Sequence, residues 1–165
     1  MSRTSKKAAV ATSESTRSLG ATVKAATANP PRTVPRLLGR IVLGSFLLFA
    51  GIGHLTFVRE EFRAQVPEWL PIDKDTVVVA SGIVEITLGG ALLALPGKRV
   101  HVGWIVAAFF VVIFPGNISQ LVTRTDAFGL NSDAARGLRL IFQPVLVLWA
   151  LWCTGAWRAW RNRSR

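Results

Sequence analysis

The segment Thr76–Leu95, TVVVASGIVEITLGGALLAL, is almost wholly apolar and carries one acid, Glu85, near its middle. A helix of that length rises about 30 Å, the thickness of a bilayer hydrocarbon core. Glu85 then lies roughly 14 Å deep, close to the midplane. A carboxylate at that depth is costly, and it sits inside a bundle with a partner or with its proton on. The stretch therefore demands a membrane around the chain and other helices around Glu85.

The rest of the chain can supply those helices. Half of its 165 residues are hydrophobic, there is no tyrosine, and the mean hydropathy is +0.39. The apolar residues gather in runs, as in membrane proteins, and not at the spacing of a soluble core. Spans are predicted at about 41–57, 76–95, 100–122 and 138–157. Together they make an all-α, integral membrane, four-helix up-down bundle over residues 37–157. In the first span Gly44, Gly51 and His54 share a face, and in the second Gly82, Glu85 and Gly89 do. Small residues on such faces let helices approach closely. Pro115 in the third span removes a backbone donor and frees the Val111 carbonyl, which predicts a kink. The fourth opens with Arg139 and Gln143 on one face and closes with Trp157 and Trp160 at an interface.

Residues 1–36 are basic, rich in Ser, Thr and Ala, and end in Pro30, Pro31 and Pro35. With few large apolar side chains they predict a disordered cytoplasmic tail, although an organellar transit peptide has a similar composition. Val58, Phe62 and Val66 recur every four residues, which predicts a short amphipathic helix over about 58–66, lying at the membrane interface. Pro67 and Pro71 bound the turn after it. Residues 158–165 form a second basic tail. The formal net charge is +11, but its cations flank apolar runs, and a positive-inside bias accounts for that placement without nucleic acid. Fourteen of the twenty Lys and Arg lie before Ile41, in the turn Pro96–Arg99, or in the C-terminal tail; the other two loops hold seven of the nine acids. Both termini are therefore expected to be cytoplasmic. The single cysteine, Cys153, allows no intramolecular disulfide, and two distant histidines, His54 and His101, cannot share a metal or haem. No cofactor held by this chain alone is expected.

This topology gathers scattered polar residues. Measured from the outer surface by helical rise, Glu85 lies at roughly 14 Å, His54 at 10, Gln143 at 8, Asn117 at 5 and Arg139 at 2. The five come from all four spans yet fall in one half of the membrane, and they are the candidates for binding or proton handling. Cβ atoms tilt toward a helix's N-terminus, so His54 leans toward Glu85, and Asn117 leans toward Gln143 and Arg139. A deep Glu85–His54 pair and a shallower Asn117 group are expected, with a direct Glu85–Arg139 ion pair second. Asn117 and Gln143 can serve as interhelical glue, whereas an ionisable group at mid-membrane points to function. His101, near the cytoplasmic end, is expected to be interfacial.

Ala50-Gly51-Ile52-Gly53-His54, Pro67 and Pro71, Ser81-Gly82-Ile83-Val84-Glu85-Ile86, Pro115-Gly116-Asn117, and Arg139 with Gln143 resemble the DoxX-like family of small four-span bacterial membrane proteins. The resemblance covers about residues 37–155. It departs from the family at Leu55, where an aromatic commonly follows the histidine, and at Gly116, where alanine is usual. A proline often falls between the Arg and the Gln; here Pro144 follows Gln143. The family takes its name from the small subunit of an archaeal quinol-oxidising, thiosulfate-linked complex, and other relatives associate with redox-defence proteins. The resemblance thus implies a bacterial inner-membrane subunit or anchor of a redox-linked assembly, not a stand-alone enzyme. Quinone would come through the assembly, and the partner would be a redox protein or a second copy of the chain. Two further readings stand beside it: a small transporter or proton pathway, and a structural membrane protein whose polar core only specifies packing.

Overall fold

The computed structural model describes residues 14–15 and 32–163. Six helices follow in order: α1 (Val34–Leu55), α2 (Arg59–Arg63), α3 (Lys74–Ala94), α4 (Arg99–Val122), α5 (Asp133–Thr154) and α6 (Ala156–Arg163). No strand occurs among the described residues. α1, α3, α4 and α5 are each long and apolar enough to cross a membrane, as a multi-pass membrane protein requires. Their outward faces carry Phe49, Val112 and Leu148 at 64%, 74% and 62% exposure. Such surfaces suit acyl chains far better than water.

The helix ends differ from the sequence expectation where capping decides them. α1 begins at Val34, within the segment expected to be tail, because Pro35 occupies the first turn and its missing N–H would have no helical partner there. The remainder of the expected tail lies outside the described residues, apart from residues 14–15 and 32–33. α3 starts at Lys74, with Asp73 accepting from the Thr76 N–H at 2.8 Å. α5 starts at Asp133, not 138, because Ser132 caps it through the Ala135 N–H. It ends at Thr154, not 157, because Gly155 adopts a left-handed φ of 77°. The chain then turns into α6, so most of the second expected tail is helical. α4 continues through Pro115 as one helix. α2 is shorter than the helix expected over 58–66; Phe62 on it stacks on His54, and Val66 beyond its end is buried.

α1 packs most extensively on α3, and α4 on α5. Glycines make the first crossing close. A Cβ built on Gly51 would stand 2.6 Å from the Gly82 carbonyl oxygen, and one on Gly89 would stand 2.7 Å from that of Gly44. Gly103 lies equally tightly against the Thr154 side chain across α4 and α5. Leu43, Leu47, Leu92, Val106, Phe110 and Ala150 fill the space between the pairs. These residues come from the N-terminal parts of α1 and α4 and the C-terminal parts of α3 and α5, so one half of the bundle is solid. In the other half the helices part around polar side chains.

Candidate functional site

That second half holds a cavity of about 620 Å³, and all five residues singled out from the sequence, His54, Glu85, Asn117, Arg139 and Gln143, line it. Each reaches it from a different stretch of helix. His54 stands in the last turn of α1 and Glu85 at the middle of α3, one turn beyond the Gly51–Gly82 contact. Asn117 follows Pro115 on α4, and Arg139 and Gln143 stand one turn apart on α5. Ser81, Gln65 and a set of aromatic side chains complete the wall.

The polar groups fall into two clusters. In the first, His54 Nδ1 lies 3.1 Å from Glu85 Oε2 and 2.9 Å from the Ala50 carbonyl oxygen. A carbonyl only accepts, so Nδ1 carries the hydrogen and donates to Ala50. In the neutral ring Nε2 is then the acceptor. Glu85 Oε2 is buried, with no hydrogen-bond partner among the described residues. A buried carboxylate oxygen that accepts no hydrogen bond is costly unless a proton or a ligand meets it. In the second cluster Asn117 Nδ2 donates to Gln143 Oε1 at 3.0 Å, and Arg139 Nε donates to Asn117 Oδ1 at 3.1 Å. Gln143 Nε2 donates to the Phe110 carbonyl at 2.6 Å, so both ends of its amide are matched. Glu85 and Arg139 form no ion pair among the described residues; Arg139 spends its directed donor on Asn117.

Aromatic rings join the clusters. Phe62 stacks on the His54 ring at 3.3 Å between centroids, Phe128 meets Phe62 edge-on at 4.7 Å, and the Arg139 guanidinium sits 4.9 Å over Phe128. Phe128 holds this place with a φ of 56°, unusual for a bulky side chain. Glu61 fixes it by accepting the Phe128 N–H at 2.5 Å, which ties α2 to the loop before α5. Gln65 Nε2 adds a bond to Gln120 Oε1 at 3.3 Å. The loop is closed from the far side by Arg136, buried and paired with both Asp126 and Asp133. Asp75 pairs with Arg59 and holds α2 against the start of α3. That contact raises the pKa of Arg59, chiefly through the hydrogen bond to Asp75.

Sequence reasoning missed Phe62, Phe128, Gln65, Gln120 and Arg136 as parts of the site. A signal existed for Phe62, in the four-residue spacing of Val58, Phe62 and Val66, which marks an apolar face without saying what covers it, and for Gln120, a polar residue near the end of an apolar span. Phe128 gave none. His101 is exposed and away from the cavity, as its position in the chain implied. Among the described residues no group of three His, Cys, Asp or Glu is placed to hold a metal ion.

Residues 43–154 match the model of a family described as a domain of unknown function (DUF8561), and the chain belongs to that family. Neither the curated proteins nor the solved structures return a match.

Proposed function

We propose that this DUF8561 member is a DoxX-like membrane subunit or anchor of a redox-linked assembly, and that its cavity receives the ring of a lipid-soluble quinone. One observation carries the reading: an apolar, aromatic-walled cavity of about 620 Å³ has at one side a buried carboxylate oxygen that accepts no hydrogen bond, beside an imidazole, and at the other an Arg–Asn–Gln cluster. Ligand sites for small molecules have this make-up and size. A quinone ring is flat and apolar, with two carbonyl groups opposite one another. Phe62 and Phe128 suit its faces, and Arg139 offers further donors to one carbonyl.

Oxidation of a quinol releases two electrons and two protons. Glu85 as carboxylate and His54 as neutral imidazole are each able to take one proton, while the electrons leave to a redox cofactor on the partner protein. Lys and Arg placement supports an up-down bundle with both termini on the cytoplasmic side of a bacterial inner membrane, so that the cavity opens toward the outer half. A transport path finds less support, because Leu43, Leu92, Val106 and Ala150 pack the bundle beyond the cavity.

The test is purification at native expression in a mild detergent, followed by solvent extraction and mass spectrometry, with partner proteins identified from the same sample. Bound quinone in roughly stoichiometric amount, reduced in a Phe62→Ala or Arg139→Gln variant, is the expected result. A protein that emerges alone, without quinone, and does not bind added short-chain quinone refutes the proposal.

A further inference from the structure

At the opposite end of α1, about 21 Å from His54 by helical rise, lies a second buried group with an unmatched atom. Arg40 is only 7% exposed. Its Nη1 has no hydrogen-bond partner among the described residues. It lines a narrow cleft with Arg32, Arg36 and Arg99, closed on its far side by Cys153 and Thr154. Arg99 is buried to the same degree as Arg40. Among the described residues no acid lines the cleft. The Asp and Glu of the two polar loops, seven of the chain's nine acids, belong to the other end of the bundle.

The backbone adds to the positive field. The N-terminus of α1 comes from one side and that of α4 from another; neither has an acid in its first turn or a side-chain cap. Helix N-termini carry unsatisfied N–H groups and a partial positive charge, which favour anions. A guanidinium is normally buried only with a partner, since the lone charge is expensive there. The Trp149 indole donating to the Gly39 carbonyl at 3.1 Å pins α5 against the turn that carries Arg40, so Arg40 is held where it is by packing.

The geometry points to a binding site for a phosphate group, seated among Arg32, Arg36, Arg40 and Arg99, with one oxygen reaching Arg40 Nη1. The cleft has about 20 Å³ of free space, enough for one water-sized atom. A single phosphate oxygen fits that space, while the rest of the group stays at the mouth between Arg32, which is exposed, and Arg36, which is half-buried. Arg158 and Arg161 continue the cationic surface beside Trp152 and Trp157, the arrangement expected where a charged headgroup meets an interfacial aromatic belt. The same chemistry serves an anionic phospholipid headgroup or a soluble phosphate, and the site is independent of the quinone reading.

The full chain, delipidated in a neutral detergent, is titrated with phosphatidylglycerol, phosphatidylcholine or inorganic phosphate and followed by native mass spectrometry and thermal unfolding. Binding of phosphatidylglycerol about tenfold tighter than phosphatidylcholine is expected, with about a tenfold loss in Arg40→Gln, the worth of one charge-assisted hydrogen bond. Arg36→Gln, at a half-buried position lining the same cleft, repeats the measurement if Arg40→Gln does not fold. Competition by inorganic phosphate assigns the site to a soluble phosphate, and its failure assigns it to lipid. Equal binding of the two lipids, unchanged in both variants and accompanied by no phosphate binding, overturns the inference.

Discussion

The close crossing of α1 on α3 sets the distance between His54 and Glu85, and Gly51→Ala tests that dependence. The added Cβ would lie 2.6 Å from the Gly82 carbonyl oxygen, 2.8 Å from Ile86 Cγ1 and 2.9 Å from the Ile86 nitrogen. Two of these are backbone atoms, so no rotamer change relieves them. Restoring ordinary contact at about 3.4–3.5 Å requires the helices to part by about 0.8 Å. His54 and Glu85 each stand one turn from the crossing, so their 3.1 Å approach would open to about 3.9 Å, the limit of an ion-pair contact. Overpacking of this kind costs about 1–3 kcal/mol, offset by about 0.5–1 kcal/mol because alanine orders more easily than glycine in a helix. The net loss is about 0–2.5 kcal/mol. Gly90, on α3, has nothing within 4 Å of an added Cβ, so Gly90→Ala should instead gain about 0.5–1 kcal/mol. Unfolding of the purified chain by a denaturing detergent, followed by tryptophan fluorescence, measures both. A Gly51→Ala protein as stable as Gly90→Ala refutes the reasoning.

Other perturbations separate the site's parts. Glu85→Gln should insert and fold at least as well as the parent, since a neutral amide avoids the burial of a charge; its absence from the membrane fraction would count against this account. Gln143→Leu removes the link between Asn117 and the Phe110 carbonyl, and about 1–2 kcal/mol of stability should go with it. An unfolding midpoint within error of the parent would show those bonds to be idle. Asp73→Ala should shorten α3 at its start, read by loss of helix signal and by amide exchange at Thr76. The Asp73 carboxyl is held below its usual range, first by the Thr76 N–H and then by the Thr76 hydroxyl. Its stabilisation is therefore present above the ordinary Asp pKa of about 3.9 and fades as pH falls through the lowered value. Parent and variant should converge in stability once the pH is below that lowered value, and a gap that persists there argues against the cap.

The membrane architecture is legible in the chain because two constraints act on every residue of a span. Length in apolar residues announces α3 and α4 to within two residues at each end. The termini of α1 and α5 are less visible because local chemistry decides them: Pro35 permits α1 to begin early, and Ser132 and Gly155 displace both ends of α5. Depth and side-chain direction also bring His54 toward Glu85, and Asn117 toward Gln143 and Arg139, since antiparallel helices leave few ways to pair polar groups at one level. Phe128 is invisible to the same reasoning. It lies in a loop, where no period operates, and it reaches the cavity only through a left-handed backbone turn held by Glu61, a residue far away in sequence.

Arg40 and Glu85 sharpen the point. Each is buried, and each keeps one atom without a hydrogen-bond partner among the described residues. In the sequence only Glu85 draws notice, because a charge ten residues inside an apolar run has no bland explanation. Arg40 sits at the edge of its run, where a long side chain is ordinarily taken to snorkel to the headgroups. Burial against α5 removes that escape. A boundary arginine buried in this way favours an anion brought to it, and among the described residues the surroundings of Arg40 offer cations and helix N-termini instead of a carboxylate. The two residues thus pose the same electrostatic problem at opposite ends of α1, one asking for a donor and the other for an acceptor.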